Sequence, residues 1–150
     1  GVGAVEIDVD LIPAEGDALL TRTLSRVAEL HAQGQTAVIF TSRVERTFAD
    51  QATRLAFGDQ VSSFLMAVVR GLPPSLGFLI SKGGITSNDV LSSGLALDAS
   101  RVLGQILPGC SVVRCPAGHP RYPDLPVVIF PGNVGDEEAL ATVYGRLTRG

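Results

Sequence analysis

The stretch from Phe78 to Val90, FLISKGGITSNDV, runs from a short apolar segment through a glycine pair into hydroxyl and amide side chains that open a helix. Few local sequences restrict a fold so tightly. A strand that enters a Gly-Gly turn lets a ligand approach the backbone closely. The helix behind it offers first-turn N–H groups and the positive end of its dipole. An anion fits such a turn, and phosphate is the natural candidate. A second stretch repeats the design, with Val127-Val128-Ile129-Phe130 leading into Pro131-Gly132-Asn133-Val134-Gly135 and then the acidic helix start Asp136-Glu137-Glu138. Two such loops can close on one nucleotide.

The flanking patterns supply the frame. Val5, Ile7 and Val9 alternate with Glu6, Asp8 and Asp10, which reads as a strand that Pro13 and Gly16 end. Leu20, Leu24, Val27 and Leu30 recur at helical spacing, and Gly34 stands where a helix C-terminal glycine belongs. The unbroken run Ala37-Val38-Ile39-Phe40 is typical of a parallel strand covered on both faces. Val44 to Leu55 has helical spacing that Gly58-Asp59 breaks. A second helix follows with Asp59 as N-cap, an apolar face of Val61, Phe64, Leu65, Val68 and Val69, and an end at Gly71 with Pro73-Pro74. Past the Gly-Gly loop, Thr86 or Ser87 caps a short helix with Asp89 in its first turn and Gly94 at its end. Residues 102–109 read as a strand with an internal Gly104, 111–115 as another, 116–126 as a proline-rich surface loop and 127–130 as the last strand. Leu140, Val143 and Leu147 form the inner face of the last helix. Strands interleaved with helices predict an α/β fold, a three-layer α/β/α sandwich on a mainly parallel or mixed central sheet. That sheet is expected to include 37–40, 78–81, 101–106 and 127–130, with both glycine turns at its carboxyl edge, where ligands bind such sheets.

A chain of 150 residues with 45% hydrophobic content can bury one sizeable core, so residues 1–150 read as a single nucleotide-binding domain. Its net charge of -3 and pI near 5.3 speak against a nucleic-acid partner, which needs a basic patch. No apolar run approaches the roughly 20 residues that span a bilayer and no signal peptide opens the chain, so the expectation is a cytoplasmic protein without a membrane partner. A core strand begins at Val2 without an initiator methionine, and the chain reads as a fragment of a larger protein. Cys110 and Cys115 are spaced C-x4-C with His119 four residues on, but a zinc site needs a fourth ligand such as His31 or a remote carboxylate. Two small buried thiols is the simpler reading, and no metal site is expected in the protein itself. Gly1-Val2-Gly3 followed by Glu6 fails the dinucleotide pattern, and no G-x4-GK[ST], G-x-S-x-G or H-E-x-x-H occurs. His31 reads as a helix-end residue and His119 as a loop residue.

Ser81 to Val90, then Leu103-Gly104-Gln105-Ile106-Leu107-Pro108-Gly109, then Val128 to Asp136 resemble, in that order, the C-terminal nucleotide-binding domain of the four-carbon acid sugar kinases. The resemblance covers essentially the whole chain. It implies a kinase that uses ATP and Mg to phosphorylate threonate, erythronate or 3-oxo-tetronate, with the acid sugar held mainly by an N-terminal domain outside this chain. The family's Ser-Pro nucleotide motif has no match here, so the resemblance also places part of the ATP site outside these residues. No catalytic residue is identified, and the fragment alone is expected to be inactive. Carried over residue by residue, Gly83, Gly84, Ile85, Thr86 and Ser87 match the principal nucleotide loop, and Gly132, Asn133 and Gly135 match the second.

The chemistry of these residues agrees. Backbone N–H groups and the hydroxyls of Thr86 and Ser87 suit phosphate oxygens, and Asn133 suits the second loop or a polar edge of the nucleotide. Phosphoryl transfer needs positioning and charge neutralisation more than covalent chemistry. Lys82 either neutralises a phosphate or is solvated at a strand end. Gly104 and Gln105 either meet ligand or pack the sheet, and Asp136, Glu137 and Glu138 either assist Mg or form a solvated helix start. Two other classes stay open: a non-catalytic regulatory module that binds a nucleotide or sugar phosphate, and a structural domain for dimer contacts, which keeps a homodimer among the partners beside ATP or ADP.

Overall fold

The computed structural model describes residues 1–43 and 46–149. It has an α/β fold, and the chain divides into two compact units, Gly1–Pro73 and Pro74–Gly150. Among the described residues no helix is long and apolar enough to cross a membrane.

In the first unit β1 (Val2–Ile7) buries Gly3, Val5 and Ile7 and turns the residues between them outward, as the alternation predicts. It pairs in parallel with β2 (Thr36–Thr41), Val2 beside Thr36 and Ile7 beside Thr41, and the crossover between them is α1 (Ile12–Ala32). Pro13 and Gly16 were expected to end the strand but lie at the start of α1, on either side of a kink at Glu15, whose φ of -128° and ψ of 24° are not helical. The strand already stops at Asp8, whose carboxylate accepts the Asp10 N–H at 3.0 Å. Proline is tolerated in a first helical turn, where its missing N–H has no intrahelical partner to lose. The inner face of α1 is Ile12, Leu19, Thr23, Val27 and Leu30, so Leu20 and Leu24 lie to one side of the expected stripe. The helix ends as the sequence implies, with the Gly34 N–H on His31 O at 3.0 Å and the Gln35 N–H on Leu30 O at 2.9 Å.

The two expected helices around Gly58-Asp59 are one, α2 (Gln51–Gly71). Asp50 caps it, accepting the Thr53 N–H at 2.7 Å, and that bond holds its carboxyl below the ordinary range. An exposed interior glycine costs only about 1 kcal/mol against alanine. The burial of Phe64, Met66, Val68 and Val69 outweighs it, so Gly58 breaks nothing and Asp59 is no cap. Val61 and Leu65 of the expected apolar face are only half-buried. Val44, the expected start of the first of those helices, lies outside the described residues.

The second unit holds a four-stranded mixed sheet in the order β3-β6-β5-β4. Here β3 (Leu79–Lys82) runs parallel to β6 (Pro126–Phe130), while β6 and β5 (Cys110–Arg114), and β5 and β4 (Arg101–Leu107), are antiparallel. The single sheet expected to include 37–40 is thus corrected: those residues hydrogen-bond only in the β1-β2 pair. Apolar length marks a strand but carries no record of its partner. Helix α3 (Gly84–Asp89) opens two residues before the expected cap, runs on into a wider π turn at Val90–Gly94, and carries Asp89 at its end instead of in its first turn. Helix α4 (Ala139–Thr148) turns Ala139, Val143 and Leu147 onto a core with Cys110, Val128 and Phe130. Leu140, expected inside, is 37% exposed.

Candidate functional site

Parallel register places Lys82 beside Phe130, so β3 and β6 end together and both glycine loops leave from one edge. The Gly83 N–H donates to Phe130 O at 2.8 Å, extending the strand pairing into the first loop. A Cβ at Gly132 would stand 4.0 Å from Gly83 Cα, which makes the two loops neighbours in contact. The hairpin turn between β4 and β5 joins them, since a Cβ at Gly109 would lie 3.1 Å from Val134 Cγ1. Sequence reasoning did not foresee this third turn at the same edge, although the antiparallel return of β5 along β6 requires it.

The loop glycines divide by what the fold asks of them. Gly83 has φ +110°, and Gly135 has φ +79° with room for a Cβ denied by Ala139 at 2.4 Å. Both are glycine for structural reasons. Gly84 and Gly132 have no positive φ, nothing lies within 4 Å of a Cβ at Gly84, and only Gly83 Cα, at 4.0 Å, reaches one at Gly132. The free fold does not need glycine at either position. What glycine leaves there is bare backbone facing open space.

In the first turn of α3, the Ser87 N–H is the first to bond back along the helix, to Gly83 O at 2.9 Å. The N–H groups of Gly84, Ile85 and Thr86 precede it and have no carbonyl one turn behind them within the helix. No acidic residue occupies that turn. Ile85 is 84% exposed and Thr86 half-buried. Ser87 differs: its hydroxyl is buried, 3.0 Å from Ser81 O and 3.1 Å from Ser81 Oγ, and it ties α3 to β3. The sequence pattern had both hydroxyls on phosphate and gave no sign that Ser81 would claim one. In the second loop Gly132, Asn133 and Gly135 are exposed, and the Val134 N–H reaches Pro131 O at 3.4 Å. Asp136 accepts the Glu138 N–H at 3.0 Å, and all three acidic residues there are exposed.

The remaining candidates take other places. The Lys82 ammonium stands 4.8 Å from the centre of the Phe130 ring. Burial pushes the Cys110 thiol up, with the Lys82 charge partly offsetting it, and burial likewise pushes up Cys115. Among the described residues no three His, Cys, Asp or Glu side chains come together as a metal group. His119 is a loop staple: its Nδ1 lies 3.2 Å from the Arg121 N–H and 2.9 Å from the Tyr122 N–H, so it accepts both. That leaves Nε2 to donate to Leu95 O at 2.7 Å. His31 stands in the last turn of α1. Gly104 and Gln105 are exposed on the outer strand β4, with β5 between it and β6.

No curated protein matches the chain. Among solved structures it is similar to a DUF1537 protein of Bordetella bronchiseptica, a domain-swapped dimer with bound citrate, at 15% identity and a TM-score of 0.66, covering 98% of this chain and 35% of that one. It is similar to a Haemophilus influenzae DUF1537 protein at 16% identity and a TM-score of 0.66, covering 96% of this chain and 34% of the other. These likenesses show the fold, and the chain spans about a third of the length of both neighbours. The sequence pattern of the nucleotide-binding C-terminal domain matches residues 2–140, and the chain therefore belongs to that family.

Proposed function

We propose that the chain is the ATP-binding domain of a kinase that phosphorylates four-carbon acid sugars such as threonate, erythronate or 3-oxo-tetronate. The observation that carries this reading is the meeting of the two glycine loops, Gly132 against Gly83, with Gly84 and Gly132 not required to be glycine by the free fold, beside first-turn N–H groups at the end of two parallel strands. In this reading the phosphates of ATP lie along Gly83 to Ser87, with Gly132, Asn133 and Gly135 closing the second side. ATP fits a cradle that an added side chain would fill. Mg enters with the nucleotide, because the described residues hold no carboxylate cage and this ion commonly keeps its waters and phosphate ligands.

The sugar hydroxyl must lose its proton to a base within hydrogen-bond reach. The two loops supply donors and no such base, so this reading assigns substrate and base to an N-terminal domain. The test is a coupled assay with ATP, Mg and the three acid sugars, on the chain alone and on the chain joined to that domain. Turnover of at least one sugar by the joined protein and none by the chain alone is expected. Absence of turnover by the joined protein on every sugar, with nucleotide bound, would leave a non-catalytic nucleotide module instead.

A further inference from the structure

We infer that Lys82 is the residue that contacts the terminal phosphates of the bound nucleotide, its ammonium aimed into the loop junction by the Phe130 ring. The inference rests on the nucleotide reading above and adds to it the residue that distinguishes diphosphate and triphosphate from monophosphate.

Lys82 is the last residue of β3, and the chain passes directly from it into the first glycine loop. Its register partner Phe130 is 1% exposed, while Lys82 itself is exposed, so the lysine lies as a lid on a ring that is otherwise covered. The same ring reaches the second loop, its Cζ standing 3.6 Å from where a Cβ at Gly135 would be. The ammonium thus stands 4.8 Å from the centre of a ring that borders the second loop, on the residue from which the first loop leaves. Among the described residues no carboxylate pairs with it, whereas Arg26 pairs with Glu29 and Arg46 with Asp10. An aromatic face fixes where a cation sits without neutralising it. The charge stays available to an anion that both loops admit, and a compact ammonium is suited to a phosphate as a point charge. In this proposal the open backbone at Gly84 takes one phosphate group and the ammonium of Lys82, two residues earlier in the chain, takes another.

Calorimetric titration of the chain with AMP, ADP and ATP, each with Mg, and with inorganic pyrophosphate tests this on wild type, Lys82→Met and Lys82→Arg. Methionine keeps an apolar stem over Phe130, so the fold has no reason to change. ADP and ATP are expected to bind wild type more tightly than AMP. Lys82→Met should weaken both by about tenfold, the size of one charge-assisted contact, and AMP by less than about twofold, with Lys82→Arg recovering most of the loss. Equal weakening of all three nucleotides, or none, would overturn the inference. If nucleotides fail to bind wild type while pyrophosphate binds and Lys82→Met abolishes it, the Lys82 contact stands and the nucleotide reading falls. Failure of pyrophosphate and nucleotides alike would overturn both.

Discussion

Gly83 and Gly84 are adjacent and chemically identical, and only backbone geometry separates them. Gly83 carries φ +110° as the cap of α3, whereas Gly84 sits in ordinary helical backbone with nothing within 4 Å of an added Cβ. The sequence showed that a glycine pair ended a strand, but it did not show which glycine served the turn and which left space. Ser87 makes the same point about direction. Its place at the helix start pointed to a phosphate or to a cap, and its bonds to Ser81 turn the hydroxyl inward instead. Replacing a buried, bonded hydroxyl leaves its partner's hydroxyl with one contact fewer. Ser87→Ala should therefore lower stability by about 1–3 kcal/mol in urea unfolding. Nucleotide affinity of the folded variant should stay within about twofold of wild type. Unchanged stability with lost affinity would mean that the hydroxyl faces ligand after all.

At the scale of elements, what was legible followed from periodicity. The alternation in β1, the apolar runs of β2 and β6 and the closing Gly34 all appear where the pattern put them. What failed was punctuation. Gly58 read as a break, yet it sits inside a helix whose packing outweighs a local preference, and Pro13 stands in a first turn that tolerates it, while α1 does kink at Glu15, next to Gly16. Gly58 gives a direct check, being exposed in mid-helix with nothing within 4 Å of a Cβ. Gly58→Ala should stabilise the protein by about 0.5–1 kcal/mol, read as a raised urea midpoint at unchanged slope. A lowered midpoint would mean that α2 is interrupted there, as the sequence alone implied.

For the whole molecule, strand pairing was the part the sequence held back. Residues 37–40 and 127–130 look equally like core strands, but one pairs across a single helical crossover with β1 and the other gathers β3 and β5 from distant parts of the chain. Hydrophobicity does not record partnership, nor in 37–40 the expected cover on both faces, since Val38 is 41% exposed, and two sheets stand where one was expected. The edge that matters was nonetheless foreseeable, because both glycine loops follow apolar strands and parallel pairing of β3 with β6 brings them into contact. The chain belongs to the nucleotide-binding C-terminal domain family over residues 2–140, and that edge is where we propose the nucleotide binds.

The central claim is that nucleotide phosphate rests against Gly84, and calorimetric titration of ADP into wild type and Gly84→Val tests it most directly. Valine at this position meets open space and ordinary backbone, so the variant should unfold with a midpoint close to that of wild type. Its affinity for ADP should fall by about tenfold or more, since every 1.4 kcal/mol of lost contact is about a tenfold change. A folded Gly84→Val protein that binds ADP as tightly as wild type would contradict the claim.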